Sequence, residues 1–150
     1  LGLTGQVSLL GARRDIARIM AGLDLFVLTS TIEGFPNVLL EAALLGVPVV
    51  ASDVGGVPDL VVDPEARFPS RNPAAAARTI ERALADRAAT VERAARMQAR
   101  CCREFTADRM VQRWLALYDG RDTPRPVLLR TPGRQPEPTE WCGIEKGKET

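Results

Sequence analysis

Glu33-Gly34-Phe35-Pro36-Asn37-Val38-Leu39-Leu40-Glu41-Ala42-Ala43-Leu44-Leu45-Gly46-Val47-Pro48-Val49-Val50-Ala51 passes from a loop through a helix to a strand in nineteen residues. Asn37 to Leu45 is helix-forming, and Gly46 ends it. Pro48 to Ala51 is short and wholly apolar, as strands buried in parallel sheets are. Pro36 is predicted at the first helical position, where its missing N–H costs nothing. Working outward, Leu23 to Leu28 reads as a strand ending in Thr29-Ser30, and Asp15 to Met20 as a helix behind an acidic start. Val7 to Leu10 reads as a further strand closed by Gly11. Strand and helix alternate, which predicts an α/β fold: a Rossmann-like parallel sheet layer with right-handed crossovers.

From Pro73 to about Tyr118 the text becomes helical, with breaks near Asp86 to Ala89 and at Thr106, so C-terminal helices are expected to flank the sheet. Between Val91 and Phe105, Arg93, Arg96, Arg100 and Arg103 fall within an arc of ~80°. Val91, Ala94, Ala95, Cys101, Cys102 and Phe105 lie mostly opposite them. An anionic membrane surface would suit the arginine stripe. A solvated face suits it better, because Glu92 and Glu104 flank it. Cys101 and Cys102, with no second pair at metal or redox spacing, read as core thiols. Residues 121–150 carry five of the eleven prolines and both lysines of the chain. They are expected to form a Pro/Arg-rich disordered tail after a domain spanning 1–120, and Trp141 and Cys142 have no role in that reading.

The whole chain has 150 residues, 45% hydrophobic and 26% charged, which is ordinary for a globular domain. Twenty Lys and Arg against nineteen Asp and Glu leave a net charge of +1, so no nucleic-acid partner is expected. No apolar run reaches the ~20 residues that span a bilayer. No signal peptide is visible, and three cysteines suggest no secreted disulfide framework, so a reducing, cytoplasmic setting is expected. The chain opens on Leu1, which predicts that it lies inside a longer reading frame. It contains no histidine, which excludes Ser-His-Asp triads and His-ligated metals within it. Its chemistry must run on carboxylates, backbone amides and arginine.

The loop from Glu33 to Pro36 follows a strand, at the sheet end where α/β proteins bind ligands. With Pro36 opening the helix, the free amides of Asn37, Val38 and Leu39 would form a cradle for phosphate, and Gly34 would let the backbone approach a ligand. A plain loop and helix cap would look the same. Glu41 is the only charged residue between Gly34 and Ser52 and is expected to be partly desolvated. Ribose hydroxyls, an arginine partner or an exposed groove would each satisfy it. Glu33, taken alone, reads as a solvated loop acid. Together the two carboxylates, eight residues apart around a helix start, describe a ligand with hydroxylated groups at both ends and a diphosphate between them, a nucleotide sugar.

The run from Glu33 to Asp59, with its Glu-x7-Glu spacing, Gly46, Pro48, Ser52, Gly55-Gly56 and Pro58, resembles the donor-binding half of family 4 retaining glycosyltransferases of GT-B fold. The likeness extends back through Val7 to Gly11 and Asp24 to Ser30, and on to Phe105 and Trp114 to Tyr118, about the first 120 residues. The resemblance implies that Glu41 binds ribose hydroxyls, and that Glu33 is the catalytic-site carboxylate that orients the transferred sugar. It also implies that Gly34, Phe35, Asn37 and Val38 present backbone to sugar and phosphate, with Gly11 and Arg13 beside the nucleobase. Arg13 and Arg14 would equally suit a surface helix start. No metal or other cofactor is implied beyond the nucleotide diphosphosugar substrate.

Three departures qualify the likeness. The Arg and Lys with which the family binds the diphosphate, two opening strand-helix units and the acceptor domain have no counterpart in this sequence, so it reads as a catalytically incomplete fragment. The sheet is expected to have about three strands plus one near Ala66 to Pro69, and to be open-edged. Asp63 to Pro69 replaces a glycine-containing turn, which puts that last strand in doubt. Saccharide or lipid-linked acceptors, held by the missing N-terminal domain, are the implied partners, and a lipid acceptor would bring peripheral contact with the inner face of the membrane. A non-catalytic remnant or interaction module keeping the donor fold is the rival reading. A sugar-nucleotide epimerase is disfavoured, since that chemistry commonly wants histidine.

Overall fold

The computed structural model describes residues 2–121. The tail expectation therefore falls, apart from Arg121, outside the described residues, as do Trp141 and Cys142.

Three parallel strands form one sheet: β1 (Phe26–Leu28), β2 (Val49–Ser52) and β3 (Arg67–Phe68), in the order β1-β2-β3. Val27 sits opposite Val50, and Ser52 opposite Phe68. All four β2 residues are buried, as the central strand requires. Its pleat sends Val49 and Ala51 to one face and Val50 to the other. The first face meets Leu39, Ala42, Val57, Leu60 and Cys101, and the second meets Phe68, Ala75 and Ala83. Helices α2 (Asn37–Leu44) and α5 (Arg87–Glu104) supply the first layer, and α4 (Pro73–Ala85) the second. The α/β layer with flanking helices is thus observed.

Local chemistry sets the helix limits. At the end of α2, Gly46 takes φ +72° and donates to the Ala43 carbonyl while Val47 donates to Ala42, both at 2.9 Å. This is the paired closure that a left-handed glycine makes possible. Asn72, Asp86 and Thr106 cap α4, α5 and α6 (Ala107–Tyr118) by accepting from Ala75, Ala89 and Arg109. The expected breaks at Asp86 and Thr106 are these caps. Two short helices complete the set, α1 (Ile16–Ala21) and α3 (Val57–Leu60).

Several expectations are corrected. Val7 to Leu10 is not a strand: it lies exposed, Leu9 at 95%, because β1 pairs with β2 alone and no ladder partner reaches this segment among the described residues. The doubted last strand does form, as β3. Asp63 accepts from the Glu65 amide and Pro64 opens a 3-10 turn, so a side chain does the work of the expected glycine. Cys101 is buried and its burial pushes the thiol pKa up, whereas Cys102 is exposed and is no core thiol. Val91 is likewise exposed. The arginine stripe is only half solvated. Arg96 and Arg103 face water, but Arg93 grips Asp63 and Glu65, and Arg100 reaches the carbonyls of Asp59 and Leu60.

Candidate functional site

The chain leaves β1 at Leu28 and enters α2 at Asn37, and the loop between them carries Glu33, Gly34 and Phe35. Two contacts fix it from the neighbouring strand. The buried Ser52 hydroxyl, at the end of β2, donates to the Ser30 carbonyl at 2.6 Å. Beyond it, Gly55 (φ +49°) and Gly56 lie directly on the loop backbone, where a methyl group on either would overlap the carbonyl oxygen of Glu33 or Gly34. Only glycine permits this approach. The loops following β1 and β2 are therefore nested at the carboxyl edge of the sheet.

Phe35 closes the outer side. Its ring lies 5.5 Å from that of Phe105, which follows α5, and the Arg100 guanidinium stands 5.4 Å from the Phe105 ring centre. A groove of about 620 Å³ opens beside Phe35 and Asn37, walled by Leu40, Phe105 and the Met110, Trp114 and Leu117 side of α6.

The helix start differs by one residue from the sequence expectation. Pro36 is the N-cap of α2 and not its first residue, because its ψ of 95° is extended. Its carbonyl accepts from the Leu39 amide at 3.0 Å, so the amides left without an acceptor among the described residues at the helix start are those of Asn37 and Val38, without Leu39. Asn37 and Glu41, one turn apart, share the exposed side of α2.

Glu41 is not desolvated as expected. Its helix buries one stripe, Leu39, Ala42 and Ala43, and turns Glu41, Leu44 and Leu45 outward. An apolar sequence on every side here means one buried face and one apolar exposed face. Glu33 is half-buried. Asp53, Asp63, Glu65, Glu92 and Glu104 all hold arginines, but Glu33 and Glu41 have no ion pair among the described residues. Of the ways to satisfy Glu41, no arginine partner is found among the described residues, and the side of the helix that carries it is exposed.

Glu33, Gly34, Phe35, Asn37, Val38 and Glu41 thus occupy one loop and the first turns of one helix. Gly11 and Arg13 stand in the exposed stretch before α1, and no hydrogen bond joins that stretch to the Glu33 loop among the described residues. Arg13 is engaged by Asp15 at 2.7 and 2.8 Å, and this pairing holds the Asp15 carboxyl below its usual value. Sequence reasoning used Ser52, Gly55 and Gly56 only to carry the resemblance, read Arg100 as part of the arginine stripe, and gave none of them a part in the site. The legible signals were a glycine pair just past an apolar strand and the single hydroxyl within that strand.

Residues 1–86 match the family model described as glycosyl transferases group 1. The Anabaena protein HepE, solved in complex with UDP, has a TM-score of 0.72 and 33% identity over 79% of this chain and 34% of its own. The N,N'-diacetylbacillosaminyl-diphospho-undecaprenol alpha-1,3-N-acetylgalactosaminyltransferase of Campylobacter jejuni is 47% identical over 53 residues, 35% of this chain and 14% of its own length. The Vi polysaccharide biosynthesis protein VipC/TviE of Salmonella typhi is 36% identical over 63 residues, 42% of this chain and 11% of its own. The chain spans only a small part of these curated relatives.

Proposed function

The chain belongs to the glycosyl transferases of group 1, and from that premise we propose that residues 1–120 are the donor-binding part of a retaining GT-B glycosyltransferase. The observation that carries this reading is the Glu33–Glu41 segment: two carboxylates with no ion pair among the described residues flank a helix start with two amides that find no acceptor there either, on a loop nested by Gly55-Gly56. Glu41 takes the ribose hydroxyls of a nucleotide diphosphosugar. The amides of Asn37 and Val38 face its diphosphate, and Glu33 orients the sugar. Gly11 and Arg13 border the base. The UDP bound by HepE makes a uridine nucleotide the first donor to try.

The reaction is front-face displacement. The bond from the anomeric carbon to the phosphate oxygen breaks while the acceptor oxygen bonds to that carbon on the same face, and the acceptor's proton passes to the departing phosphate. The helix start stabilises the charge that develops on the diphosphate. No metal is required by this scheme. The acceptor is a saccharide or a lipid-linked saccharide held by another domain of the full protein, and the names of the Salmonella and Campylobacter relatives are in keeping with both. A lipid acceptor entails work at the cytoplasmic membrane surface. No helix among the described residues is long and apolar enough to cross a membrane.

Glu41→Ala in the full-length enzyme tests the assignment. Glu41 is exposed and has no ion pair among the described residues, so folding is expected to be unchanged, while the donor KM rises by about tenfold or more. An unchanged donor KM would remove the ribose role.

A further inference from the structure

The geometry points to Arg100 as a positioning residue for the nucleotide site, a role that rests on the donor reading above. Its guanidinium makes three kinds of contact. Nη2 donates to the Asp59 carbonyl at 2.6 Å and Nη1 to the Leu60 carbonyl at 3.3 Å, at the C-terminal end of α3. Nε donates to Glu104 at 2.9 Å, and the guanidinium stands 5.4 Å from the Phe105 ring centre.

Two of these contacts lead back to the Glu33 loop by different routes. Helix α3 begins at Val57, immediately after the glycine pair whose backbone lies on Glu33 and Gly34. A shift of α3 must move Gly55-Gly56, and those glycines have no free space toward the loop. On the other side Phe105 packs on Phe35, the next residue of the same loop. The contacts close a ring: Arg100, the end of α3, Gly56, Gly34, Phe35, Phe105 and back to Arg100. The loop that carries Glu33 is held between two walls, and both are fastened to one side chain that hydrogen-bonds to no candidate ligand-binding residue among the described residues. Arg100 can do this because its planar fork serves two carbonyls and a carboxylate while its face meets a ring, which a lysine ammonium cannot reproduce.

The charge is set for this purpose. Three backbone or carboxylate oxygens surround the guanidinium, and its side chain is 27% exposed. Arg96, one turn earlier on α5, pairs with Glu92 alone among the described residues, in solvent, and provides the control.

Arg100→Met keeps the stem and removes the donors and the charge. Full-length native protein, Arg100→Met, Arg100→Lys and Arg96→Met are compared by UDP affinity and by amide hydrogen exchange in the segments 33–36 and 55–58. Arg100→Met is expected to quicken exchange in both segments and to weaken UDP binding by about tenfold. Arg100→Lys should recover only part of each, and Arg96→Met should change neither. Unchanged exchange in both segments overturns the ring of contacts, whatever the protein binds. Quickened exchange with UDP affinity within about twofold of native overturns the positioning role and leaves Arg100 a structural residue. If native protein binds no UDP, the uridine-donor reading fails first. The exchange arm then decides whether Arg100 holds the loop, and the positioning role as stated falls with the donor reading.

Discussion

Ser52 donates its hydroxyl to the Ser30 carbonyl at 2.6 Å, joining the end of the central strand to the loop that leaves its neighbour. Ser52 is 1% exposed, so no water can take its place without repacking. Ser52→Ala leaves the Ser30 carbonyl without its partner and is expected to cost about 1–2 kcal/mol of stability. Urea unfolding followed by circular dichroism reads this directly. A midpoint equal to that of native protein would mean that the loop is held without this bond.

The glycines of the site divide into two kinds, and the division is testable. Gly55 has a left-handed backbone and a neighbour where its side chain would be, so Gly55→Ala is expected to destabilise by more than about 2 kcal/mol. Gly34 has open space around its missing Cβ. Gly34→Ala is expected to leave the unfolding midpoint within about 0.5 kcal/mol of native while weakening UDP binding, since the methyl would stand on the face offered to the ligand. Undiminished UDP affinity in a stable Gly34→Ala variant would remove the idea that ligand and backbone meet there.

What could be read in advance followed the range of the interactions. Helix α2, its stop at Gly46 and the breaks at Asp86 and Thr106 were legible because a single residue encodes each, through a left-handed turn or a side-chain cap within three residues. The Glu33 to Glu41 segment was legible as a possible ligand loop because strand, loop and helix are contiguous. The apolar run Val7 to Leu10 misled, because apolarity makes a strand only where a partner supplies the ladder.

The supports of the site were hidden for the opposite reason. Gly55 meets Glu33 across twenty-two residues, and Arg100 meets Asp59 across forty-one. Helical periodicity places Arg93 and Arg100 on the polar side of α5, and they are there. Periodicity carries no information about the loops that come to lie on that side. The burial of Glu41 was overestimated by the same limit: the composition of α2 is apolar all round, and its packing against α5, β2 and α1 decides which stripe is covered.

The Glu104 carboxylate is expected to give the site's framework a pH dependence. Its hydrogen bond from Arg103 foremost, with Arg100 adding to it, holds the carboxyl below its ordinary value of 4.5. A depressed acid contributes stability above its unfolded-state pKa and loses that contribution as pH falls through the folded one. Unfolding midpoints measured from about pH 6 down to about pH 3 should therefore fall, and less steeply in Glu104→Gln than in native protein. The variant keeps an acceptor oxygen for Arg100, so the difference between the two curves isolates the charge. Coincident curves would mean that Glu104 is paired as favourably in the unfolded chain, and that its grip on Arg100 adds nothing to the native state.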